Sequence, residues 1–290
     1  MTSELPHQIL DLAGNLTGIR TSGAELIRNG TNSVHRLPGR IIARIGPPES
    51  VETARHQLTV SHWLTQNDIP TVRPVADVGQ PVVVSDRPVT WWKEIPNQRP
   101  AAPAELGTAL RRLHTLPPPE GLLPTVDPIA GWADTIGTHA ALTDDERMWI
   151  TDLVARLRDR LTSAHLDTCV IHGHAWQDNV VVSGDGPPIL LDLDRLGIGP
   201  RDWDLIPLAV DHTDFARITS DDYHAFLHAY GGYDTTTHPA YRTLATLMEL
   251  RWTNYILGKA TTDPHAAHEA RHRITCLRGE IPRPWTWTAF

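Results

Sequence analysis

Residues 170–204 read VIHGHAWQDNVVVSGDGPPILLDLDRLGIGPRDWD, and this stretch organises the rest of the chain. A buried-strand run, Val170-Ile171, ends in the polar loop His172 to Asn179, and a second run, Val180 to Val182, follows it. The Gly184-Asp185-Gly186 turn then returns the chain to Ile189-Leu190-Leu191 and to Asp192-Leu193-Asp194. Apolar runs bounded by turn formers predict short strands. Their pairing as a tight hairpin brings Asn179 and Asp192 near each other. An amide oxygen and a carboxylate are hard donors of the kind Mg²⁺ takes, with phosphates and water completing its shell.

Working outward, the first ninety residues predict a small antiparallel sheet carrying one helix. Strand-length segments Glu25–Asn29, Ser33–Leu37 and Arg40–Ile45 are separated by Gly30-Thr31-Asn32 and by Pro38-Gly39. Helical spacing of Val51, Ala54, Leu58, Val60, Trp63 and Leu64 predicts a helix over Glu49–Leu64. Extended character resumes in Val72–Val78, Pro81–Val84 and Val89–Trp92, and the proline-punctuated run Ile95–Pro100 predicts a linker. Beyond it, helical spacing predicts Pro103–Leu116, Asp144–Leu161, Asp221–Tyr230 and Tyr241–Leu257. The expectation is an α+β protein of two domains, residues 1–95 and 96–290.

Composition narrows the function. The net charge is −8, with a sequence pI near 6.0, which argues against a nucleic-acid binder that must neutralise phosphates. Residues 1–100 carry 10 basic against 9 acidic groups and residues 101–290 carry 16 against 25. That acidic second part suits a cationic or neutral partner, or is simply a solvated surface. No run approaches the roughly 18 apolar residues of a membrane span, and the opening MTSELPHQIL lacks the order of a secretory signal. Cys169 and Cys276 form no disulfide framework. These features predict a cytoplasmic protein with no membrane partner.

The residues quoted above resemble the aminoglycoside phosphotransferase and choline kinase-like family, a branch of the protein-kinase-like fold. The family's His-Gly-Asp loop, four residues and Asn align with His172 to Asn179, with His174 where the family has Asp. Its Ile-Asp-Trp-Glu signature aligns with Leu191 to Asp194, its Gly-Asp-Pro…Asp-Leu segment with Gly199 to Leu205, and its Leu-His helix with Leu113-His114. The resemblance implies a bilobal fold: a small antiparallel-sheet N-lobe with one helix for the nucleotide, and a larger, mainly helical C-lobe for the acceptor. It implies transfer of the γ-phosphate of a purine nucleotide, ATP or GTP, to a hydroxyl. The acceptor class is a small molecule, such as an aminoglycoside-like antibiotic, a sugar or an amino alcohol, or a peptide Ser or Thr.

By the same resemblance Asn179 and Asp192 ligate Mg²⁺ and belong, with His174, to the catalytic set. Gly30, Thr31, Asn32 and Ser33 are expected either as the loop over the phosphates or as a plain hairpin turn, and the backbone of Trp91 or Trp92 is expected at the adenine edge. The kinase template also needs a lysine on the third strand and a helix glutamate to hold it. Lys93 and Lys259 are the only lysines, so the third strand offers Arg44; the helix offers Gln57, with Glu52 as the nearby alternative. His174 in place of Asp leaves two alternatives standing: a nucleotide-binding protein without transfer, and a His-x-His metal hydrolase built on His172, His174 and Asp178. Asp178 is also a substitute base.

Overall fold

The computed structural model describes residues 6–290; the first five residues of the segment read above for signal order lie outside the described residues. In chain order its elements are α1 (Pro6–Thr17), β1 (Glu25–Asn29), β2 (Ser33–Leu37), β3 (Ile41–Ile45), α2 (Val51–Gln66), β4 (Val82–Val84), β5 (Arg87–Lys93), β6 (Gln98–Pro100), α3 (Pro103–His114), α4 (Asp144–Ser163), β7 (Thr168–Ile171), β8 (Val180–Ser183), β9 (Ile189–Leu190), β10 (Gly197–Pro200), α5 (Arg201–Thr213), α6 (Ser220–Tyr230), α7 (Tyr241–Lys259) and α8 (Pro264–Leu277). Strands and helices mix as an α+β chain. It divides into two compact units, residues up to 101 with 178–196, and 102–177 with 197–290. The division differs from a single cut at 95/96, because 96–101 and 178–196 pack with the first unit.

The first unit is built on a five-stranded antiparallel sheet in the order β1-β2-β3-β5-β4. Side chains alternate along β3, so Ala43 and Ile45 point to one face and Ile42 and Arg44 to the other. The first face is apolar: Ala43, Ile45, Leu37, Val89 and Trp91 form one cluster with Ile9, Leu10 and Ala13 of α1. Helix α1 was not among the sequence expectations, although Ile9, Leu10 and Ala13 stand at helical spacing. The turn into β3 uses φ of 82° at Gly39 and 62° at Arg40, so Arg40 belongs to the turn and the strand starts at Ile41.

Two expected segments differ. Val72–Val78 is no strand: it makes single bridges, Thr71 to Leu190 and Pro74 to Trp92, because Pro70 and Pro74 have no N–H to extend a ladder. The Ile95–Pro100 run is no free linker, since β6 pairs antiparallel with β8 and β8 with β9.

The second unit packs α4, α5, α7 and α8 around a core that includes Ile150, Trp203, Leu244, Leu250 and Ile274. The paired strands β7 and β10 stand within this unit. Sequence reading missed α5 and α8. Residues Asp202 to Asp211 of α5 are all buried and Pro207 sits inside the helix, so no amphipathic period shows. For α8 the signal was present: Asp263 caps the N–H of His265 at 2.8 Å and Pro264 occupies the first helical turn. The carboxyl-terminal Trp285 and Trp287 stack at 5.4 Å within the core cluster, a packing role.

Arginines reaching two buried carboxyl groups hold that terminus. Arg242 donates to Asp214 and to Glu249, both at 2.6 Å, and Arg283 donates to Asp214 at 2.9 Å. Burial pushes the fully enclosed Glu249 carboxyl up to about 8. Burial acts on Asp214 too, but the hydrogen bond from Glu249 and the two guanidinium charges outweigh it and hold that carboxyl below its ordinary range. The pair therefore keeps one proton, on Glu249. Between about 4.5 and 8 the native state holds a proton that the unfolded chain has released, so stability falls as pH rises through that window. Thermal unfolding from pH 6.5 to 8.5 should lose roughly 1–2 kcal/mol in the native protein. Glu249→Gln, already neutral, should flatten that slope; an equally steep slope in the variant would place the titration elsewhere.

Candidate active site

Arg44 is the centre of the polar face of the first unit. Its strand position turns it away from the α1 cluster, toward the same face as Val34, Ile42, Thr90 and Trp92, its neighbours in register. NH1 donates to Gln57 Oε1 at 3.0 Å and NH2 to Asp192 Oδ1 at 2.9 Å, with Asp194 Oδ2 at 3.8 Å. The Asn32 amide is oriented by the same network: its oxygen accepts from Arg44 Nε at 3.1 Å and NH2 at 2.7 Å. Gln57, 5% exposed, lies on the inward face of α2 with Ala54, Val60, Ser61 and Leu64. Glu52, the alternative to Gln57, is exposed and pairs with Arg55 instead.

Asp192 follows β9 in a left-handed conformation, φ 53° and ψ 59°, which turns the chain out of the hairpin into the short Leu193–Arg195 helix. Val180 pairs with Leu190, and Leu191 N–H donates to the Asn179 carbonyl at 2.9 Å. Asn179 and Asp192 thus flank the same end of the β8–β9 pair, as the hairpin reading expects. Their oxygen donors fit a hard divalent cation. Asp194, which sequence reading gave no separate role, adds a second carboxylate near Arg44.

The other expected nucleotide residues divide. Thr31 and Asn32 lie in the turn between β1 and β2, closed by the Gly30 N–H to the Asn32 carbonyl at 3.1 Å. Ser33 is buried on the opposite sheet face from Arg44, and its hydroxyl hydrogen-bonds His35 Nε2 at 2.8 Å. Trp92 shares the Arg44 face and its indole donates to Thr90 Oγ1 at 2.8 Å. Its backbone stands in the sheet opposite Ile42, and the neighbouring Trp91 carbonyl and Lys93 N–H bond to Val75 and Arg73.

In the second unit the loop after β7 is held from α5. Asp204 accepts the N–H of His172 at 2.6 Å and of Gly173 at 2.8 Å, and His114 Nε2 donates to the same carboxylate at 3.1 Å. His114 Nδ1 is in turn hydrogen-bonded with the Tyr230 hydroxyl at 2.8 Å. Gly173 has φ 74°, a conformation costly for a residue with a Cβ. His172 is fully buried, and His174, just past this anchor, is exposed. Asp178 is exposed as well. Among the described residues no three His, Cys, Asp or Glu side chains are gathered to hold a metal ion.

The acidic stretch Asp211, His212, Asp214, Asp221, Asp222 does not present a charged wall for a cationic acceptor. Asp211 and Asp214 are each 3% exposed and paired with Arg217, Arg242 and Arg283. Asp221 and Asp222 are solvated in the first turn of α6, where Thr219 caps the Asp222 N–H at 3.1 Å. No helix among the described residues is long and apolar enough to cross a membrane.

Comparison with known proteins follows the same lines. An amicoumacin kinase solved with AMP-PNP, Ca²⁺ and Ami superposes with a TM-score of 0.77 at 13% identity, covering 96% of this chain and 95% of that one. The GDP and kanamycin complex of APH(2")-IIia gives 0.70 at 13%, covering 94% and 99%. Aminoglycoside phosphotransferase APH(3'')-Id from Streptomyces rimosus, with ADP and streptomycin, gives 0.63 at 23%, covering 84% and 97%. These likenesses establish the protein-kinase-like fold. No curated protein sequence matches this one. Residues 25–245, well over half of the chain, match the phosphotransferase enzyme family (APH), and the chain belongs to that family.

Proposed function

We propose that the protein moves the γ-phosphate of ATP or GTP to a hydroxyl of a small molecule of the antibiotic, sugar or amino-alcohol kind. The observation that carries this is the Arg44 guanidinium, held by Gln57 from one side and by Asp192 from another, at 3.0 and 2.9 Å. A fixed, permanently charged fork on the polar face of a sheet is suited to clasp phosphate oxygens. The structurally similar proteins solved with nucleotides and antibiotics support the same substrate classes.

In this reading Gln57 orients Arg44 without cancelling its charge, and Asn179 and Asp192 hold Mg²⁺. When bound there, the ion supplies charge neutralisation for the transferring phosphoryl group. Asp204 and His114 fix the loop that carries His174, and the exposed imidazole takes the acceptor's proton. Positioning and electrostatics do most of the work in such transfers, so a base need not be strong. His174 in place of a carboxylate favours one second reading, nucleotide binding without transfer.

Arg44→Ala tests the proposal. Loss of charged hydrogen bonds costs about 1.5–3 kcal/mol, so the nucleotide KM should rise roughly 10- to 100-fold in a variant that melts like the native protein. Native kinetics in that variant would remove Arg44 from the site.

A further inference from the structure

The turn between β1 and β2 reaches back to Arg44 in a way that bears on how a phosphate arrives. Nε and NH2 form one edge of the guanidinium, the parallel pair of N–H groups that matches two oxygens of a phosphate. With the Asn32 amide assigned so that its oxygen, not its nitrogen, faces these donors, both groups of that edge donate to that one oxygen, at 3.1 and 2.7 Å. Gln57 sits elsewhere, on NH1 at 3.0 Å, whereas Asp192 Oδ1 shares NH2 with Asn32 at 2.9 Å. Asn32 is part of the Gly30–Asn32 turn, tied by the Gly30 N–H to its own carbonyl.

We infer that Asn32 is a placeholder for phosphate. Its amide oxygen stands on the bidentate edge of Arg44 and has to leave before a phosphate takes that edge. The inference rests on Arg44 as the phosphate-binding residue and adds the sign of Asn32's effect. A contact that phosphate has to displace opposes binding, so removing it strengthens binding. An amide suits the task because it satisfies the donors without adding a further negative charge to those of Asp192 and Asp194. A carboxylate there would neutralise Arg44 and hold it more tightly.

The test is calorimetric titration of Mg·ADP and Mg·GDP into native, Asn32→Ala and Asn32→Asp protein, with Arg44→Ala alongside. Asn32→Ala should bind about three- to tenfold more tightly, and Asn32→Asp at least about tenfold more weakly. Hydrogen exchange in the nucleotide-free protein should speed up at the Gly30–Asn32 amides in Asn32→Ala, which reads the loop without any turnover. An Asn32→Ala Kd that is unchanged or raised overturns the placeholder. Unaltered binding in Arg44→Ala overturns the reading beneath it as well, and separates the two failures.

Discussion

Asp192→Ala should lower turnover by about a thousandfold or more, because a metal ligand at phosphoryl transfer supplies several kcal/mol and each 1.4 kcal/mol is a factor of ten. The structure gives this residue two duties. Its Oδ1 stands 2.9 Å from Arg44 NH2, and its place beside Asn179 at the end of the β8–β9 pair suits a divalent cation. Its removal should therefore weaken Mg·nucleotide binding and blunt the response of rate to added Mg²⁺. Asp194, whose Oδ2 is 3.8 Å from the same guanidinium, keeps Arg44 partly neutralised, so the fold should survive. Mg·nucleotide affinity and rate both at native levels in Asp192→Ala would show that the metal binds elsewhere.

His174→Ala should lose about 10²- to 10⁴-fold in kcat with nucleotide affinity unchanged, since general base catalysis contributes on that scale. The loop's anchor is Asp204 on the His172 and Gly173 amides, and His174 itself is exposed. The second reading predicts the reverse: native protein that binds nucleotide without transferring phosphate, and His174→Asp that gains transfer. A His174→Ala variant as fast as the native enzyme refutes both and turns attention to Asp178.

Much of the site was legible because it depends on local order. Turn formers and apolar runs locate the β1–β2–β3 strands, and strand alternation then puts Arg44 opposite Ala43 and Ile45. The family resemblance selects Arg44 and Gln57 as a pair, and they lie 3.0 Å apart. What sequence could not show is contact between distant segments. Asn32 meets Arg44 only after the sheet forms, and Ser33, its neighbour, falls on the other face because successive strand residues alternate. Asp214 belongs to the acidic second part of the chain, yet Arg242 and Arg283, far later in the chain, neutralise it. Helix α5 was hidden for a related reason: a helix enclosed on all sides shows no polar face to give its period away.

The measurement that bears most directly on the central claim is calorimetric titration of the native protein with Mg·AMP-PNP and with Mg·GTPγS, each repeated with the nucleotide alone in a chelator. The account predicts saturable one-to-one binding of at least one of them that weakens at least about tenfold when Mg²⁺ is withdrawn. Absence of heat with both nucleotides, together with an unchanged melting temperature, would contradict a nucleotide site built on Arg44 and Asp192.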